Sequence, residues 1–435
     1  MTRPVIERAL FVTRYHPVPA HTGTLQYSSQ LIAIFAALSD RLDVLCQSDP
    51  RRDMAADPNG PEFSDNVAFF VQPPAQPSLA ERVASPLPHS AITHATADNR
   101  RRLGELLRQR PTCVVLDHIA SAWAYQQVAA YKARHPEVRV VYCTHNMERD
   151  TRLSLSSASW RRPAWLIGSL VDVLRIDRSD RRLARLADLL TCISSADARR
   201  HVARYRPRHT AVVRPTYRGR VRADRTIDAD VPKRICIVGS FISSTKKSNL
   251  SAFLTEGYEL FAAHAVEVMV VGRMDAAHRR DLEAKWPKVT FTGPVARLDE
   301  YMDTCRIGVI PEAAGGGFPL KSLDYVFNRL PIFSLARALV DLPLVAGANV
   351  EVFPDMGALC RAIVAQIDRT ERLDAMQASA FDACADFRSA RQPREVMSEA
   401  LRRAQRNGHG PRVVGPVASR PAAAVGKEAP CTMRP

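Results

Sequence analysis

Residues 306–335 read Arg306-Ile307-Gly308-Val309-Ile310-Pro311-Glu312-Ala313-Ala314-Gly315-Gly316-Gly317-Phe318-Pro319-Leu320-Lys321-Ser322-Leu323-Asp324-Tyr325-Val326-Phe327-Asn328-Arg329-Leu330-Pro331-Ile332-Phe333-Ser334-Leu335. The short apolar run at 307–310, ended by a proline, predicts a buried parallel strand. Leu320, Leu323, Tyr325, Val326 and Phe327 approximate the apolar face of a helix, so the glycines fall in a strand-to-helix turn. Glycine there permits positive φ and close approach of a ligand, and the free N–H groups and dipole of a helix start favour an anion. Pro319 suits the first helical position, and Lys321 and Asp324, three residues apart, share a face.

Working outward, similar units recur. Apolar runs at 9–13, 42–46, 67–71, 112–117, 138–143, 188–194, 234–240, 266–272, 289–293 and 330–335 alternate with helical patterns, which predicts doubly wound parallel sheets. After Val212-Val213-Arg214-Pro215 the composition turns polar through Pro232, which marks a linker. The expected division is a first domain at 1–215, a linker at 216–232, a second domain at 233–405 and a disordered tail at 406–435. Proline- and polar-rich stretches at 48–62 and 72–90 read as loops.

A length of 435 residues, 46% hydrophobic and 24% charged, suits two globular cores. The net charge of +16, from 61 Lys and Arg against 45 Asp and Glu, serves nucleic acid, an anionic membrane or phosphorylated ligands equally well. No nucleic-acid-binding module is recognisable, so no nucleic-acid partner is expected. Nine cysteines without a Cys-x-x-Cys pair support neither a zinc site nor a disulfide framework. No apolar run is long enough to span a bilayer and Met1–Glu7 lacks a signal-like core, so a cytoplasmic location is expected. Residues 151–187 are strongly basic, with Trp160, Trp165, Leu166, Ile167, Leu170 and Val171 interleaved. Two readings stand there: a packed helix pair with a solvated arginine face, which is favoured, and a segment lying on the inner face of an anionic membrane.

A cation beside a phosphate-binding turn, with a carboxylate one step deeper, matches a nucleoside diphosphate-sugar: the Lys321 amine meets the diphosphate and Asp324 accepts from ribose hydroxyls. A second candidate is His145, in Thr144-His145-Asn146-Met147-Glu148 at a strand's carboxyl end, where ligands of open α/β sheets gather. His118 is the weaker rival on the same edge. The loop 15–24 before the first helix, with Gly23, and the Ser/Thr/Lys loop 243–249, with Lys246 and Lys247, complete the set.

In Pro311, Gly315–Gly317, Lys321, Asp324, Asn328 and Leu330-Pro331, and in His145-Asn146-x-Glu148, the chain resembles retaining glycosyltransferases of the "group 1" or family 4 type. The resemblance implies an α/β, GT-B architecture, two doubly wound Rossmann-like domains facing each other across a cleft. It implies His145 beside the transferred sugar and Gly23, Lys246, Gly316, Gly317, Lys321 and Asp324 around the donor. It implies no metal and no cofactor, since the nucleotide-sugar is a substrate. The implied acceptor is a polysaccharide, a lipid-linked molecule or a small molecule. Three positions depart from the family pattern: Asp324 stands where Glu is usual, Gly316 where many members have an earlier Glu, and Gly23 where Gly-Gly is common. Glu312 lies nearby but out of register. Asp228-Ala229-Asp230, in the linker, reads as incidental. A nucleotide-sugar epimerase of the same architecture and a non-catalytic nucleotide-sugar-binding relative are the alternatives.

Overall fold

The structure, a computed structural model, describes residues 5–18, 20, 22–49, 63–157, 163–313, 318–336, 339, 341–406 and 412–414. Two sheets organise the chain, and all their ladders are parallel. The first contains β1 (Ile6–Tyr15), β2 (Ser39–Gln47), β3 (Val67–Gln72), β4 (Cys113–Asp117), β5 (Arg139–Thr144), β6 (Leu189–Cys192) and β7 (His209–Val212). The second contains β8 (Arg234–Val238), β9 (Glu267–Val271), β10 (Val289–Gly293), β11 (Ile307–Ile310), β12 (Ile332–Leu335) and β13 (Glu351–Phe353). Residues Arg412–Val414 form β14. The strand orders are β14-β7-β6-β5-β4-β1-β2-β3 and β10-β9-β8-β11-β12-β13. Central strands are covered on both faces: every residue of β4 and of β11 is buried.

Each sheet reverses its winding beside its first strand. β1 lies between β4 and β2, and β8 lies between β11 and β9. Ligands of open sheets bind at such switch points, outside the carboxyl ends of the strands. The loops after β1, β4, β5, β8, β9 and β11 are therefore the ones brought to the binding edges.

The helices that matter for the site are α1 (Gly23–Leu38), α2 (Leu79–Ala84), α3 (Glu148–Ser157), α4 (Pro163–Leu186), α5 (Ser244–Ala263), α6 (Leu320–Phe327) and α7 (Arg391–Arg406). α2 corrects the loop expected at 72–90. Its Ser78 side chain accepts from the Glu81 N–H while Glu81 caps the Ser78 N–H, so local capping sustains a helix among prolines. Pro319 is the residue before α6 and not its first turn. Two further corrections concern the C-terminal region. α7, which the sequence division gave to the second domain, packs against β7, β6 and α1 of the first. Within the tail expected to be disordered, 412–414 pair with β7 as an edge strand.

The expected linker lies clamped along the second domain. The Arg225 guanidinium donates to the carbonyls of Cys305, Asp303 and Arg329, and Arg306 donates back to the carbonyls of Val231 and Ala229. Asp228 accepts from the Asp230 N–H, a local turn. Among the described residues eight cysteines are buried free thiols, six of them in or beside the strands.

Candidate functional site

β1 and β4 are neighbouring parallel strands and end side by side. Asp117, the last residue of β4, is fully buried and receives three side chains. The Thr13 and Ser28 hydroxyls donate to its Oδ2 at 2.7 and 2.6 Å, and His145 Nε2 lies 2.7 Å from Oδ1. Burial alone would raise this carboxyl. His145 and the two hydroxyls outweigh it, so Asp117 stays below its ordinary value. A carboxylate only accepts, so Nε2 of His145 carries a proton and donates. The other ring nitrogen, Nδ1, is buried with no protein partner.

Aromatic packing fixes the ring. Tyr27 and His118 stand edge-on to His145 with centroids 5.0 and 5.2 Å away. Tyr27 is anchored by its hydroxyl, which donates to the Val213 carbonyl at 2.7 Å. His118 adopts φ +64°, accepts at Nδ1 from the Ala120 N–H and so donates from Nε2 to Glu148 at 2.9 Å. Glu148 begins α3. Burial would raise its carboxyl, but the bond from His118 and the charges around it hold it low.

On the opposite wall stands α6, the helix that follows β11 in the chain. Its Tyr325 is fully buried, accepts from the Val238 N–H at 2.9 Å and reaches the Cys236 and Val309 carbonyls at 3.1 Å, which locks the helix to β8 and β11. Lys321 and Asp324 then face the cleft. The Lys321 ammonium contacts Glu312 at 2.5 Å, and Lys246, in the first turn of α5, reaches the same Oε1 at 3.1 Å. Burial and the neighbouring Lys246 pull Lys321 down to about 8, although Glu312 opposes them. Glu312, against the burial that would raise it, is held down to about 2 by its two lysines. Burial pushes Asp324 up to about 7 despite Lys321.

Both walls line one cleft of about 990 Å³. Gly23, His118, His145 and Glu148 come from the first domain, and Lys246, Glu312, Lys321 and Asp324 from the second. Two glycines mark close approaches in the cleft walls. A Cβ on Gly23, the first residue of α1, would stand 3.0 Å from the Leu320 side chain at the start of α6, a tight contact that the leucine would have to yield to. Gly272, at φ +134°, leaves no room for a Cβ, which would stand 1.9 Å from the Gly239 carbonyl oxygen. The loops after β8 and β9 thus close together beneath the cleft.

The structure brings together five of the seven sequence candidates: Gly23, His145, Lys246, Lys321 and Asp324. Gly316 and Gly317 lie outside the described residues. Of the two lysines, Lys246 lines the cleft and meets Glu312, whereas Lys247 pairs with Asp275. His118 supports His145 and Glu148 and does not compete with them. Sequence analysis missed Asp117, which reads as a strand end, and set Glu312 aside as out of register. Among the described residues no three His, Cys, Asp or Glu side chains gather as metal ligands. Chemically, the cleft offers two ammonium groups and a helix start for a diphosphate, a carboxylate for hydroxyls, and a backed imidazole on the facing wall.

Residues 232–368 match the family described as glycosyl transferases group 1. The match covers most of the second domain, from the polar stretch before β8 to beyond β13, and supports an enzyme of sugar transfer. A comparison with curated protein sequences gave no match. Among solved structures, a sucrose-phosphate synthase from Thermosynechococcus elongatus superposes with a TM-score of 0.63 at 15% identity, over 91% of this chain and 98% of that one. HepE from Anabaena, solved with UDP and glucose, gives 0.59 at 13% identity over 91% and 100%. OtsA without ligand gives 0.57 at 12% identity over 91% and 99%. At these identities the likeness shows the fold, which is GT-B.

Proposed function

We propose that the chain transfers a sugar from a nucleoside diphosphate-sugar to an acceptor, a polysaccharide, a lipid-linked molecule or a small molecule, with retention at the anomeric carbon. One observation carries the reading: Lys246, Lys321 and Asp324 of one domain face an Asp117-backed His145 of the other across a single cleft. The bond from the anomeric carbon to the diphosphate oxygen breaks, its electron pair leaves with the diphosphate, and the acceptor hydroxyl oxygen bonds to that carbon as it gives up its proton to the departing phosphate oxygen. Lys321, Lys246 and the start of α6 stabilise the charge that grows there. In the free protein Glu312 holds both ammonium groups, so an arriving diphosphate takes its place against them. Asp324 accepts from the ribose. The unpartnered Nδ1 of His145 meets a hydroxyl of the sugar, as an acceptor from the neutral ring or a donor from the protonated one. Retention is supported by the resemblance of the donor loop.

The family match supports the reaction class, and the UDP and glucose in the HepE complex make UDP-sugars the first donors to try. Nucleoside diphosphate release from a panel of UDP-, GDP- and ADP-sugars tests it, with NMR of the product for the anomer formed. Release from one donor together with glycoside formation is expected. Free epimer without acceptor, or tight binding without turnover, would overturn transfer.

A further inference from the structure

Nine large apolar side chains are exposed among the described residues, and six of them lie on two helices: Leu79 and Val83 on α2, and Ile167, Leu170, Val171 and Leu174 on α4. The α4 residues are spaced i, i+3, i+4 and i+7, so they form one stripe. Continued along the helix, the same outward stripe carries Arg178, Arg182 and Arg185, all exposed. The opposite face of α4 is buried through Val173, Ile176, Leu183 and Ala184. α4 is therefore apolar outward over 167–174 and cationic outward in its last turns.

α2 continues the patch. It buries none of its residues, and Leu79 and Val83 are 78% and 69% exposed. Arg175 of α4 joins the two helices by donating to the Arg82 and Val83 carbonyls at 3.0 and 2.7 Å. Beside α2 lies a cavity of about 390 Å³ lined in part by Ala84, Leu87, Trp123 and Leu183, so little packing holds the helix from below. The acidic side chains nearby are engaged: Asp172 with Arg152, Asp177 with Arg204, and Glu81 with the cap of its own helix.

We propose that the α2–α4 face docks on an anionic lipid surface, with Ile167, Leu170, Val171 and Leu174 inserted among the acyl chains and Arg178, Arg182 and Arg185 at headgroup level. An exposed apolar stripe that turns cationic along one helix matches a surface with a hydrocarbon interior and a negative face. The chain's net charge of +16 adds long-range attraction toward such a surface. Among the described residues no helix is long and apolar enough to cross a membrane, so the contact is peripheral. α3 packs along α4 and begins at Glu148 in the cleft, which sets the docked face one helix away from the site. None of the stripe residues lines the cleft, and the inference stands apart from the donor assignment.

Flotation of the full chain with phosphatidylcholine vesicles, with and without phosphatidylglycerol, tests it. The wild type is expected to float only with the anionic vesicles. Leu170→Glu combined with Leu174→Glu should lower partitioning at least about tenfold at any salt. Arg178→Ala with Arg185→Ala should lower it by about fivefold per arginine, an effect that shrinks as salt rises. Circular dichroism and nucleotide binding of the variants report an intact fold, since these side chains are exposed. A wild type that floats with neither vesicle, or a Leu170→Glu/Leu174→Glu variant that floats like wild type, overturns the proposal. So does a wild-type dimer in sedimentation velocity that the glutamate variant dissociates, which would assign the face to a second copy of the chain.

Discussion

The two walls of the cleft solve opposite problems. On the first domain, Asp117, His145, His118 and Glu148 are neutralised by hydrogen bonds to one another and to fixed groups from β1, α1 and the backbone. On the second domain, Lys246, Glu312 and Lys321 pair with one another at the ends of long side chains. A wall wired through short buried bonds keeps its geometry whether or not a ligand is present. A wall of mutually paired charges exchanges partners when a stronger anion arrives. The first is suited to orient a sugar, and the second to capture a diphosphate.

The comparison breaks most visibly at Lys321. Lys321→Ala is expected to weaken nucleoside diphosphate binding by about 1.5–3 kcal/mol, roughly ten- to a hundredfold, while the fold stays intact. Calorimetry checks it, and unchanged affinity would remove the donor site from this wall. Asp324→Asn should cost about tenfold in nucleotide affinity but leave the binding of inorganic pyrophosphate, which has no ribose, as in wild type. Equal loss for both ligands would mean that Asp324 acts on the phosphates.

The sign of the pH dependence differs between these two residues. Lys321 is charged below about 8, so diphosphate affinity is expected to fall as pH rises through that value. Lys321→Arg, charged throughout, should abolish that limb. Asp324 is ionised above about 7, so ribose-dependent affinity should fall as pH drops through 7, and Asp324→Asn should lack this limb. Because the folded carboxyl is raised above its unfolded value, ionising it costs the ligand-free protein stability as pH rises toward 7. The Asn variant should therefore melt no lower than wild type at neutral pH.

The smallest effect sharpens the idea of exchangeable pairing. Glu312→Gln removes the internal competitor for the two ammonium groups, and diphosphate affinity at neutral pH is expected to rise by about fivefold, the scale of a partly exposed ion pair. Weaker binding would instead make Glu312 an organiser of the lysines in the complex.

Much of this plan was legible in the chain itself. Buried parallel strands are continuous apolar runs, so 113–117 and 307–310 announce themselves, and the glycine turn before Leu320 points to a ligand. Lys321 and Asp324 are one helical turn apart, and local spacing suffices to pair them. What stayed hidden depends on distant chain segments. Asp117 looks like the end of a strand until Thr13 and Ser28, 104 and 89 residues earlier, meet it. Glu312 gains its role only when the fold brings it to Lys246, 66 residues before it. The return of α7 to the first domain has no local signature, because an amphipathic helix does not state which surface covers it. α2 did have a signal, the Ser-x-x-Glu at 78–81, outweighed by the surrounding prolines.

The central claim, that the wired wall acts on a sugar held by the exchanging one, is tested most directly by turnover in His145→Ala. With the best donor from the panel, the variant is expected to release nucleoside diphosphate at least about tenfold more slowly while binding the nucleotide with wild-type affinity. A variant that melts lower than wild type but turns over at the wild-type rate per folded molecule would contradict it.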